Sequence, residues 1–98
     1  MAAIPEIPLK MVPESSLAKA VVQGDHGYRE AGDRHKLGGK PDWIQSDETP
    51  VCPECEDSMD FYGQLDNLGS IESLKDEGMV YVFVCRECYA TKAILQYD

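Results

Sequence analysis

Cations are what this chain is short of. Residues 42–98 hold three Lys/Arg against thirteen Asp/Glu, a local balance of −10, while residues 1–41 hold six against five, and the whole carries −9. Affinity for nucleic acid rests mainly on Lys and Arg neutralising phosphates, so the acidic half argues against DNA or RNA as a partner. It favours a basic protein partner, drawn in by electrostatic steering. Long apolar runs are missing as well: no stretch approaches the roughly 20 residues of a membrane-spanning helix. The opening Met1 to Lys10 has no basic start and is cut by Pro5 and Pro8, unlike a secretory signal. The expectation is a cytoplasmic protein whose thiols stay reduced. Catalytic patterns are absent too. Neither phosphate-loop spacing surrounds Gly38-Gly39, and no EF-hand pattern organises Glu54, Glu56, Asp57 and Asp60, which read as a solvated acidic face. Ser15, Asp25 and His26 make a triad only on paper, since a triad is defined by geometry and these lie in polar, irregular segments. No enzyme is expected.

What the chain does hold is four cysteines in two C-x-x-C pairs, Cys52-Pro53-Glu54-Cys55 and Cys85-Arg86-Glu87-Cys88, separated by 29 residues. Two such pairs let four thiolates converge tetrahedrally on one Zn²⁺. A four-thiolate shell is closed to water and substrate, so Cys52, Cys55, Cys85 and Cys88 are expected to hold zinc in a structural role. In small peptides such binding contributes roughly 10–16 kcal/mol coupled to folding. That matters for 98 residues, a length that buries only about two-thirds of its unfolded surface. The separation is longer than usual in a zinc ribbon. Residues 66–78 account for the excess as a loop insertion, at a closure cost that grows only logarithmically.

Other uses of the same cysteines compete. A tetrahedral S₄ shell also suits a single iron, as in rubredoxin-like electron transfer. A C-x-x-C pair can serve thiol–disulfide exchange, although that use places it at a helix start in a βαβ setting, whereas here each pair borders a strand. A disulfide framework would allow three connectivities, and a nucleic-acid-binding ribbon is a further candidate. Glu56 and Tyr89 follow the second cysteine of each pair, where a backbone turn of positive φ often takes glycine.

Along the chain, prolines at 5, 8 and 13 predict an extended or edge segment over residues 1–13. Ser15 or Ser16 is placed to cap a short helix over Leu17–Val22. Gln23 to Lys40, rich in glycine and without periodicity, reads as a loop whose His26 and His35 are surface side chains. Trp43 beside Ile44 is expected at the edge of the core. Ser58 to Leu65 alternates as a half-buried strand, with Met59, Phe61 and Leu65 inward and Asp60, Tyr62 and Gln64 outward. Residues 66–78 form a polar excursion with one helical turn around Ile71 and Leu74. Met79–Val84 is apolar on both faces, as in a strand covered on both sides. Thr91–Tyr97 supplies a third strand, with Ala93, Leu95 and Tyr97 on one face and Ile94 on the other.

Lys36 to Gln45, Phe61 to Asp66 and Gly78 to Val84 together resemble the YwqG-like family of uncharacterised, mostly bacterial proteins. Gly39, Pro41, Gln45, Gln64 and Gly78 match its G-x-P-x-x-x-Q segment, its Gln-led element and its Gly-led strand. Members are usually longer, and many lack the cysteine pairs. The resemblance implies a β-rich binding or scaffolding protein of the bacterial cytosol and names no reaction. The whole reading is a mainly β protein built as a zinc-ribbon-like antiparallel sheet. Residues 1–34 are its extended or irregular N-terminal segment and residues 35–98 its zinc-ribbon-like β domain, forming one structural unit.

Overall fold

The computed structural model of the chain describes residues 3–22, 33–68, 74 and 78–98. Its centre is one antiparallel sheet in the order β1-β2-β3-β4-β5, formed by β1 (Ile7–Pro8), β2 (Lys36–Leu37), β3 (Asp60–Asp66), β4 (Met79–Val84) and β5 (Thr91–Gln96). Strands adjacent in the sheet follow one another in chain order. The protein is mainly β. Its one described helix, α1 (Ser16–Val22), begins where the Ser15 side chain accepts the Ala18 N–H at 3.0 Å, and it buries no residue.

Strand β4 is written in valine, tyrosine and phenylalanine, residues that suit a pleated surface. Its alternation decides the layers: Met79, Tyr81 and Phe83 are fully buried, and Val80, Val82 and Val84 are half-buried. A covered face is thus backed by an open one, where the apolar sequence had predicted cover on both sides. Met59, Cys52 and Cys85 complete the core, with Trp43, Ile44, Phe61, Ala90 and Ile94 packed around it. Trp43 lies over β4, its ring 4.5 Å from Tyr81 and stacked 5.9 Å from Phe83.

The strap carrying Trp43 has no regular structure of its own, so its backbone polar groups need other partners. Three strands provide one buried polar side chain each. Gln64 of β3 accepts the Asp42 N–H at 3.0 Å and donates to Arg34 O and Asp42 Oδ2 at 2.9 Å. The Tyr81 hydroxyl donates to Asp42 O at 2.8 Å and accepts the Ile44 N–H at 3.1 Å. Gln96 accepts the Gln45 N–H at 2.9 Å and donates to Ser46 O at 2.7 Å. Gln64 is 1% exposed and Gln96 2%. Orphaning any of these buried groups would cost about 1–3 kcal/mol, so the strap is fixed across the sheet in one register.

Two further expectations about the strands are corrected. Gln64 faces inward because the pairing slips between Phe61 and Gly63: Phe61 opposes Phe83, Gly63 opposes Val82, and the extra residue reverses the alternation that follows. Leu65 is therefore on the open face. On β5 the expected grouping holds, with Ala93, Leu95 and Tyr97 on one face and Ile94 on the other; the covered side is that of Ile94 and Gln96. Lys36–Leu37, read as loop, pairs with both Ile7–Pro8 and Gln64–Gly63. Gly63 makes that approach possible, since a Cβ there would sit 2.7 Å from Lys36 O. Residues 23–32, with Asp25 and His26, lie outside the described residues, as does most of 66–78 with Ile71.

His35 is not the surface side chain expected of it. It is half-buried, and its Nδ1 accepts the Asp66 N–H at 2.8 Å. Asp66 itself holds Arg34 through a two-pronged ion pair, at 2.7 and 3.1 Å. Burial lowers the His35 pKa below its ordinary 6.5, against the pull of the Asp66 and Asp33 carboxylates. A depressed folded pKa means that the neutral ring contributes stability above the ordinary value and loses it as pH falls through the folded one. Protonation also removes the only acceptor Nδ1 can offer. Urea denaturation should therefore show stability declining below pH 6.5 in the native chain. That step should be missing in His35→Gln; parallel curves for the two proteins would contradict it.

Candidate metal centre

Each cysteine pair sits in a tight loop closed by antiparallel pairing one residue before its first cysteine and three after its second. Val51 bridges Ser58 around the first loop, and Val84 pairs with Thr91 around the second. Inside, the two loops repeat the same hydrogen bonds. Cys52 N donates to Asp57 O and Cys85 N to Ala90 O, both at 2.8 Å; Glu56 N returns to Cys52 O at 2.9 Å and Tyr89 N to Cys85 O at 2.7 Å. Closing such a loop takes a left-handed residue after the second cysteine. The residues there are Glu56, φ 61°, and Tyr89, φ 62°. The chain thus adopts the glycine-type turn without glycine, at a cost of roughly 1–2 kcal/mol each.

Strands β3 and β4, neighbours in the sheet, carry these loops to the same end. The four sulfurs consequently meet: Cys52, Cys55, Cys85 and Cys88 present their Sγ atoms within 4.8 Å of one another. Between the loops the sulfurs stand 3.5 Å apart for Cys52–Cys88 and 3.7 Å for Cys55–Cys85. A tetrahedral site with metal–sulfur bonds of about 2.3 Å has edges of about 3.8 Å, so the donor set fits one ion. Cys52 and Cys85 are buried on the core side, Cys55 is intermediate and Cys88 is exposed. Arg86, within the second loop, donates to Asp60 Oδ2 at 2.9 Å and ties that loop to the start of β3.

The thiols do not ionise alike. Backbone N–H groups of Cys88 and Glu87 hold Cys85 down at about 7. The sulfurs of Cys85 and Cys88 push Cys55 well above the ordinary thiol range. For Cys88 the Ala90 N–H pulls downward, but the Cys52 and Cys85 sulfurs prevail and raise it. Clustered thiols therefore resist shedding all four protons unless a cation takes up the charge, which is how metal binding releases protons from its ligands.

Among the described residues, no other group of three or more His, Cys, Asp or Glu forms a comparable cluster. His35 stands apart from it. Asp60 is engaged by Arg86, and Ser15, the paper nucleophile, caps α1 with its Oγ. Sequence reasoning did not find the role of Gln64, Tyr81 and Gln96, the side chains that hold the strap across the sheet. Tyr81 was hidden in an apolar run, and Gln64 was put out of phase by the bulge.

A mainly β sheet carrying a four-cysteine cluster able to take a metal ion is what fold and site together define. No protein-family profile matches the chain, and no solved structure matches it significantly. Over 61 residues, 62% of this chain, it is 39% identical to the uncharacterised protein YpfL of Salmonella typhimurium (strain LT2). The match spans 14% of that relative's length.

Because Tyr89 is 72% exposed, replacing it changes the backbone more than the packing. Tyr89→Gly should leave the stability of the metal-loaded protein unchanged or raise it by up to about 1 kcal/mol, and Tyr89→Val should lower it by about 1–2 kcal/mol. Equal urea midpoints for the two variants would show that the turn is not constrained as described.

Proposed function

We propose that the four cysteines hold a structural zinc ion and that the chain is a non-enzymatic, zinc-ribbon-like interaction module of the bacterial cytosol. One observation carries this reading: four sulfurs converge within 4.8 Å, two of them buried in the core. A shell of four thiolates leaves no open position, so the ion would supply cohesion and no reacting ligand. The ligands' own loops do the positioning. Residues 42–98, with their balance of −10, would draw in a basic protein partner and repel phosphate backbones. The resemblance to the YwqG-like family supports binding or scaffolding over catalysis.

The same donors would accept iron, so the metal itself separates this reading from a rubredoxin-like one. Protein purified under reducing conditions should carry about one zinc per chain. It should be colourless, pass through heparin without retention, and lose its metal on the double change Cys52→Ser/Cys85→Ser. Strong visible absorption from iron thiolate, or no bound metal, would overturn the proposal. Salt-dependent retention on heparin would favour a nucleic-acid-binding ribbon in its place.

A further inference from the structure

The two edges of the sheet are treated differently. At one edge β1 is only two residues long and ends in Pro8, which has no N–H to offer. At the other, β5 runs for six residues, contains no proline, and carries a single charge, Lys92. Cys85 N donates to Ala90 O. In the antiparallel alternation Lys92, Ile94 and Gln96 therefore bond to β4, and Thr91, Ala93 and Leu95 turn their N–H and C=O groups away from the sheet. These are three ready positions for another strand.

Side chains continue the same surface. On the open face the register aligns Leu65, Val80 and Leu95 in one row and Leu37, Gly63, Val82 and Ala93 in the next. Leu65 is 50% and Leu95 44% exposed, and no described helix or strand lies across them. On the covered face the strap crosses β3 at Asp42, β4 at Ile44 and β5 at Gln45–Ser46, following its bonds to Gln64, Tyr81 and Gln96. Asp47 and Glu48, both exposed, come next, where the strap has just reached the outer strand. Asp47 is kept ionised by the Thr49 hydroxyl and N–H, which donate to its Oδ1 at 2.6 and 2.8 Å.

We propose that β5 is a docking edge for an extended segment of a different protein, one that alternates apolar and basic side chains. Its backbone adds a sixth strand beside Thr91, Ala93 and Leu95. Its apolar side chains extend the Leu65–Val80–Leu95 row, and a Lys or Arg on the other face meets Asp47 and Glu48. Lys92, on that same face, places the basic residue at the Gln96 end of the strand. Charge decides against a second copy as occupant: pairing two chains of −9 brings like charges together, and the copy's β5 would offer Lys92 as its single cation. This inference rests on the interaction-module reading and names that module's surface and partner.

The test uses the full, metal-loaded, ¹⁵N-labelled chain and a short peptide alternating Val and Lys. Saturable amide shifts should centre on residues 91–97, and a peptide alternating Val and Glu should leave them unmoved. Ala93→Pro removes an outward N–H and should weaken binding about tenfold. Leu95→Lys, at an exposed position, should weaken it as well. Asp47→Asn/Glu48→Gln should weaken it roughly threefold. Unperturbed β4 amides report that each variant is folded. Shifts scattered over the acidic surface and indifferent to Ala93→Pro would reduce the effect to general charge attraction and overturn the proposal. So would peptide-free shifts at 91–97 that grow with protein concentration as the mass doubles, since the occupant is then a second copy. Failure to bind with metal and fold intact sinks this surface alone, whereas a chain that takes up no metal sinks the module reading.

Discussion

Four sulfurs brought within contact distance of one another are an unfavourable arrangement unless something positive sits among them. Thiolates repel, thiols are weak hydrogen-bond partners, and here two of the four are buried. The loops nevertheless aim all four at one point, with repeated backbone bonds and with Glu56 and Tyr89 held in a left-handed turn. That strain is tolerable only where surrounding structure over-determines it. A cation at the cluster would supply the compensating energy where the chain most needs it. It would join the loop that opens β3 to the loop that links β4 and β5, across 29 residues of intervening sequence.

Away from the cysteines, cohesion comes from a thin apolar layer stiffened by polar side chains. Trp43 covers Tyr81 and Phe83, and Gln64, Tyr81 and Gln96 take up the strap's backbone groups. One layer of sheet with one strap is shallow, and the chain's extents of 44 × 27 × 18 Å reflect it. The radius of gyration, 14.8 Å, exceeds the roughly 13 Å of a compact domain of this length. With so little depth, buried hydrogen bonds stabilise the sheet where a larger core would otherwise do so, and a metal at the four-cysteine end would add to them. Among the described residues, no helix or strand covers the opposite face of the sheet.

The cysteine spacing made the site legible because ligand chemistry fixes residue type and spacing together. The β-rich character was legible from β4 and β5, whose composition suits strands. Inward and outward faces were legible only where strands run without interruption. A single slip at Tyr62 exchanged the faces of Gln64 and Leu65, and nothing in the residue types announces a bulge. On uninterrupted β5 the grouping of Ala93, Leu95 and Tyr97 against Ile94 was legible, but not which face is covered, because polar Gln96 is drawn inward by its hydrogen bonds to the strap. His35 and Lys36 looked like loop residues because β2 is two residues long, too short for any periodicity. In each case a long-range partner decided the outcome, and local sequence carries little trace of such partners.

Amide hydrogen exchange on the reduced chain, with metal bound and after removal by a strong chelator, addresses the dependence of the sheet on its cation most directly. The account predicts that the Cys52, Glu56, Cys85 and Tyr89 amides lose protection together on chelation, and that the amides of β4 follow. Protection that persists unchanged throughout both loops and β4 after the metal has gone would contradict it.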